Sequence, residues 1–164
     1  MTPNFFAKIA ALFALTLAGA LAAATPAKAP APGQVITQGE VKAEKTVVEN
    51  GVSKVQLVAA SHVLPGDRLL FATVYRNTAT VPATNFTVTN PVPAAVSVTP
   101  ESAAALVVSV DGGTAWGRLA ALTVADGKGG RRPALAADVT HVRWTIASIP
   151  PGASGRVEYH AVVR

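Results

Sequence analysis

Cysteine is absent from the sequence. With it go disulfides, thiolate metal sites, a cysteine nucleophile and a lipid-modified N-terminal cysteine. Aromatic residues are few: two Trp, two Tyr and five Phe in 164 residues, and Phe5 and Phe6 lie at the extreme N-terminus. Any core is therefore built mainly from Ala and Val around a handful of aromatic anchors. Charge is sparse too, at 14% of residues, with a formal net charge of +5. Without Lys8 and Lys28, twelve basic and nine acidic residues leave +3. Nucleic-acid binding requires a denser basic stripe with interleaved aromatics, so nucleic acid is not an expected partner.

Long apolar runs are confined to the N-terminus. A short start carrying Lys8 leads into Ile9–Leu21 (IAALFALTLAGAL), and Ala22-Ala23-Ala24 follows as an A-x-A site. The order of charge, apolar run and small residues is that of a secretory signal peptide. The run is shorter than the ~20 residues a membrane span needs. Residues 1–24 are therefore expected to be removed, with a second cleavage site at Ala27-Lys28-Ala29. The mature chain is expected outside the cytoplasm, periplasmic or extracellular, with no membrane span left. Residues 25–38 read as a Pro/Ala-rich lead-in, because Thr25–Gly33 (TPAKAPAPG) cannot sustain a backbone hydrogen-bond ladder.

Residues 39–164 show period-2 alternation and no long helical period. Glu40–Val48 and Ser53–Ala60 flank Glu49-Asn50-Gly51, a hairpin signal because Asn-Gly tolerates the positive φ of a tight turn. In Arg68–Arg76, Leu69, Phe71, Thr73 and Tyr75 share one face, with Arg68 and Arg76 on the other. Asn85–Asn90 places Phe86 and Val88 inward, and Pro91 and Pro93 stop it. Leu106–Val110 and Ala115–Leu119 read as a hairpin, with Leu119–Val124 as its continuation and Ala125–Pro133 as an exposed loop. Val139–Ile149 and Arg156–Val163 are strands around the Pro150–Gly155 turn. Many short strands separated by Gly, Pro and Asn predict an all-β, antiparallel β-sandwich of immunoglobulin-like type.

From Val63 onward the chain resembles the bacterial extracytoplasmic immunoglobulin-like module known as domain of unknown function eleven. The likeness rests on Pro65-Gly66-Asp67 before Leu69, Phe71, Thr73, Tyr75 and Asn77. It continues through Ala83, Asn85, Phe86, Val88, Asn90, Pro91 and Pro93. Val142, Trp144 and Ile146, then Pro151-Gly152-Ala153-Ser154 and Val157, Tyr159 and Ala161, close it. Thr73 stands where the pattern has a large aliphatic and Asn90 where it has Asp, and residues 100–138 depart from it. These are turn and core positions, so the resemblance implies a fold and no chemistry.

Ser109, Asp111, Gly113 and Trp116 fit the Asp-box pattern S-x-D-x-G-x-x-W. Its physics is that of a turn: the Asp accepts N–H groups of its own loop, Gly supplies positive φ and Trp packs beneath. The motif recurs in sialidase propellers, but those carry several copies, a longer chain and an arginine cluster, so a structural role is expected here. His62, His141 and His160 are the three imidazoles. Pairing of the last two long strands would set Trp144 opposite Tyr159 and His141 diagonal to His160, though with Arg143 beside them and no carboxylate to complete a metal site. Ser154 sits in Gly-Ala-Ser-Gly, without the spacing of a nucleophile elbow. Lys128, Arg131 and Arg132 lie in a Gly-rich loop that would attract a polyanion. No catalytic residues, metal or cofactor are expected. The expected function is a non-catalytic structural or interaction module of the cell envelope or extracellular space, whose partner is a protein or surface polymer. The alternative is a carbohydrate- or polyanion-binding module.

Overall fold

The computed structural model describes residues 35–164; the expected signal peptide and residues 25–34 of the lead-in lie outside them. The described chain runs β1 (Val35–Glu49), β2 (Val52–Ala59), β3 (Arg68–Asn77), β4 (Ala83–Pro91), β5 (Val96–Val98), a short helix α1 (Pro100–Ala105), β6 (Val107–Ser109), β7 (Thr123–Ala125), β8 (Arg131–Pro133), β9 (His141–Ile149) and β10 (Ser154–Val163). Five strands form one sheet in the order β2-β1-β3-β10-β5, three form a second in the order β4-β9-β6, and β7 and β8 make a small ribbon. Every pairing is antiparallel. The two larger sheets pack face to face, so the protein is an all-β sandwich.

The β1–β2 turn is the two-residue kind that Asn-Gly specifies, with Asn50 at φ 53° and Gly51 at φ 79°. β1 starts earlier than the sequence suggests. Val35–Glu44 pairs with Arg68–Asn77, which takes the first four residues of the domain out of the lead-in assigned to 25–38. The last proline of that lead-in is Pro32, so nothing in 35–38 interrupts a ladder.

β3 lies inside its sheet, and its inward residues are those the alternation names. Leu69 and Thr73 are buried, and Phe71 and Tyr75 are half-buried. Leu70 and Ala72 on the opposite face are buried as well. The reason is lateral: Glu44 of β1 bonds both Arg68 and, across β3, His160 of β10, which closes polar side chains over the apolar ones.

β4 and β9 pair with Val88 opposite Trp144 and Phe86 opposite Ile146. Tyr159 of β10 lies between the sheets, stacked on Phe71 at 4.9 Å between centroids and tilted against Trp144 at 6.2 Å. Around it Val98, Ala103, Val108, Val142 and Ala161 are buried. Polar contacts join the sheets as well; in one of them the Asn90 amide donates to the Thr73 hydroxyl at 2.7 Å. Thr73 and Asn90 thus supply each other's partner across the core.

Four sequence expectations do not hold. β9 and β10 do not pair; residues 150–153 carry the chain from one sheet to the other, so Trp144 meets Tyr159 across the core and His141 and His160 lie in different sheets. The hairpin expected at 106–119 reduces to one bridge, Val108 to Gly117, on the edge of β6 opposite β9, because residues 110–116 form a loop and 119–121 a helical turn. Leu119–Ala121 is a helical turn, and within the expected loop Arg131–Pro133 pairs with Thr123–Ala125.

Candidate functional site

The Asp-box loop leaves β6 at Ser109 and returns at Trp116. Asp111 Oδ1 accepts from the backbone N–H of Thr114 at 3.1 Å and of Ala115 at 2.9 Å, and from the Ser109 hydroxyl at 2.7 Å. The Gly113 N–H donates to Ser109 Oγ at 2.9 Å, and Trp116 Nε1 donates to the Gly113 carbonyl at 2.8 Å. Gly112 and Gly113 both hold positive φ, which a side chain would strain. Arg143 lies 3.5 Å over the Trp116 ring, and His141 meets its edge. All four motif residues are thus brought together, and their polar atoms are spent on one another. The Ala115 N–H, with help from Ser109, holds the Asp111 carboxyl below its ordinary range. Asp111→Ala is expected to lower the melting temperature by roughly 2–8 °C, as loss of a backbone-capping side chain does. A thermal melt that matches wild type would remove this loop from the account of stability.

The three cations of the 125–133 segment do not converge. Arg132 makes a two-pronged pair with Asp138 at 2.6 and 2.8 Å, while Arg131 donates to the Thr123 hydroxyl and carbonyl, both at 2.6 Å. Successive residues of a strand point to opposite faces, which separates the two guanidinium groups. Lys128 is exposed on a turn whose backbone N–H groups, its own and that of Gly130, donate to Asp126. Arg132, aided by the Leu135 N–H, outweighs burial and holds Asp138 at about 2. A carboxyl lowered in the folded state stabilises above its unfolded pKa near 4 and loses that contribution as pH falls towards 2. Between pH 4 and pH 2, Asp138→Asn is therefore expected to lose less stability than wild type, measured by denaturant titration at both values.

His62 is exposed in the β2–β3 connection. His141 bonds Thr140, and His160 bonds Glu44. Burial opposes ionisation of Glu44, but hydrogen bonds from His160 and Arg68 win and lower its pKa. Among the described residues no cluster of His, Asp or Glu is arranged to hold a metal ion. A cavity of about 510 Å³ beside β5, lined by Val98, Pro100, Leu119, Leu135 and Val162 among others, is almost wholly apolar.

The β1–β2 hairpin was expected from the sequence, but the apolar surface it exposes was not. Ile36, Val41, Val48, Val52, Val55 and Leu57 are all exposed, with Val48 at 68% and Val55 at 67%. Among the described residues β2 is an edge strand of eight residues, paired on one side only, by β1. Its register with β1 runs from Lys42–Ala59 to Glu49–Val52 without a bulge. The signal was present: Val52 and Val58 fall on one face of β2, and Val55 and Leu57 on the other. A strand apolar on both faces belongs inside a sheet or against a partner. No protein-family model, curated protein or solved structure matches the chain.

Proposed function

We propose that this chain is a non-catalytic structural or interaction module, exported to the cell envelope or extracellular space, that engages its partner through the β1–β2 hairpin. The observation that carries this reading is the concentration of exposed apolar side chains on a long, unbroken edge strand. Natural proteins blunt such edges with proline, bulges or several charges. β2 has no proline, no bulge and one charge, Lys54, which is drawn to Glu49 at 3.0 Å. Contiguous exposed apolar surface of this kind marks interaction sites.

The resemblance to the extracytoplasmic immunoglobulin-like module supports the same reading, since its motif residues serve turns and core. Carbohydrate or polyanion binding by Lys128, Arg131 and Arg132 is less favoured, because both arginines are spent inside the fold. The N-terminal leader supports export. N-terminal sequencing of protein recovered outside the cytoplasm is expected to start near Thr25 or Pro30. Affinity recovery from the native host should retain a partner with wild type and with Asp111→Ala, and lose it with Val55→Thr/Leu57→Thr. Retention by the hairpin variant, or an intact Met1 on a cytoplasmic pool, contradicts the proposal.

A further inference from the structure

We infer that β2 pairs with β2 of a second copy of this chain, antiparallel about a two-fold axis at Gln56, to join two five-stranded sheets into one. The inference rests on the hairpin being the interaction surface and adds the identity of the partner. Glu49 and Val52 close the two-residue turn as a pair. From that pair the alternation of an antiparallel ladder directs the N–H and C=O groups of Ser53, Val55, Leu57 and Ala59 away from β1, towards the open edge. The outward backbone groups and the side chains of the outer face thus belong to the same four residues.

Self-pairing satisfies this edge in one register better than in its neighbours. With Gln56 opposite Gln56 of the second copy, Ser53 lies opposite Ala59, and Val55 opposite Leu57. All four outward-facing residues then take part, as four pairs that each exchange two hydrogen bonds. Val55 and Leu57 of each copy cover one another on the outer face, where apolar cross-strand pairs stabilise a sheet. Lys54 faces Val58, and the two lysines sit far apart on either side of the glutamines. Moving the axis to Val55 makes the two lysines diagonal neighbours and leaves Ala59 without a counterpart. Moving it to Lys54 sets like charges directly opposite, which destabilises a sheet. The edge thus meets itself with every outward backbone group paired and its one charge kept away from its copy, and that favours a second copy over an unrelated strand. The pairing also carries the apolar stripe from Val48 through Val55 and Leu57 across the axis.

The test uses the full chain, recovered after export, and exploits the absence of native cysteine. At the axis, Gln56 forms a non-hydrogen-bonded pair with Cα atoms roughly 4.5 Å apart, inside the reach of a disulfide. Gln56→Cys should give a covalent dimer on mild oxidation. Lys54→Cys, whose counterpart lies about four residues away along the strand, roughly 13 Å, should give at least about tenfold less. Sedimentation equilibrium should find a wild-type dimer at about 100 μM, a concentration suited to an interface smaller than the standard size. Gln56→Lys should weaken it by about tenfold or more by placing two ammonium groups opposite each other, with an unchanged circular dichroism spectrum. A wild-type monomer at that concentration, or equal cross-linking at both cysteines, overturns the inference. A monomer that still holds another protein through Val55 and Leu57 overturns self-pairing and leaves the interaction module standing. A monomer whose partner is indifferent to both residues overturns the two together.

Discussion

Replacing Tyr159 by alanine should lower the unfolding free energy by about 3–5 kcal/mol, whereas replacing it by phenylalanine should raise it by about 0.5–2 kcal/mol. The opposite signs come from two parts of one side chain. The ring is 1% exposed, stacks on Phe71 and leans on Trp144, so truncation leaves a cavity at the centre of the sandwich. The hydroxyl is buried, and among the described residues it has no hydrogen-bond partner. It has lost its water and gained nothing, and phenylalanine fills the same space without that cost. Burial also pushes the Tyr159 pKa up to about 12. Because the unfolded chain ionises first, wild-type stability falls as pH rises from about 10 and the loss is complete as pH passes 12. Tyr159→Phe should lack this part of the alkaline loss. Denaturant titrations at pH 7 and pH 11 measure both effects. A Tyr159→Phe protein less stable than wild type would mean that the hydroxyl has a partner in the folded state.

Asn77→Ala should cost about 2–4 kcal/mol although it removes few apolar atoms, since one stranded buried carbonyl costs roughly 1–3 kcal/mol and each further lost hydrogen bond about 0.5–1 kcal/mol. Asn77 ends β3 and is fully buried. Its amide donates to the Val81 carbonyl at 2.9 Å and the Ile149 carbonyl at 2.8 Å, and its Oδ1 accepts from the Ala79 N–H at 2.9 Å. Its backbone N–H donates to Ala153 and its carbonyl accepts from Gly152, both at 2.9 Å. One side chain thus ties the β3–β4 turn to the end of β9, beside the turn that carries the chain between sheets. Alanine leaves the Ile149 carbonyl without this partner in a buried place, and takes from the Val81 carbonyl and the Ala79 N–H a bond that water replaces only in part. Asn77→Asp should be worse still at neutral pH, because it points a carboxylate at two carbonyls, and it should recover in part on acidification. The midpoint and slope of a denaturant titration decide this. An Asn77→Ala protein within 1 kcal/mol of wild type would show those groups to be solvated.

What the sequence made legible is what local physics controls. Positive φ at Asn50-Gly51 announces a hairpin, and alternation at Leu69, Phe71 and Thr73 or at Val142 and Trp144 names the inward face. Sheet membership is not local. The residues between β9 and β10 read equally well as a hairpin turn or as a crossing between sheets, and only the packing of Tyr159 against both Phe71 and Trp144 decides. Helix α1 was readable and was missed: Thr99 caps it by accepting from Ser102, and Pro100 begins it. Asn77 ends an alternating strand, but its bond to Ile149 spans 72 residues and leaves no trace in spacing. The hydrogen bonds of Ser109, Asp111 and Trp116 within their own loop were readable because they span no more than four residues, whereas Arg143 and His141 against Trp116, and Thr140 against Gly112, were not. The exposure of β2 was not, since apolar residues on both faces signal an interior strand unless its partner belongs to another molecule.

That last point is where the account is most exposed, and amide hydrogen exchange addresses it residue by residue. The measurement compares the complex recovered from the native host with the same protein freed from its partner. The account predicts that exchange at Ser53, Val55, Leu57 and Ala59 slows by at least about tenfold in the complex, as their outward N–H groups gain acceptors. The β1-facing amides of Lys54 and Gln56 should change much less. Unaltered exchange along β2, with protection appearing instead around Asp111 or along 128–132, would contradict it.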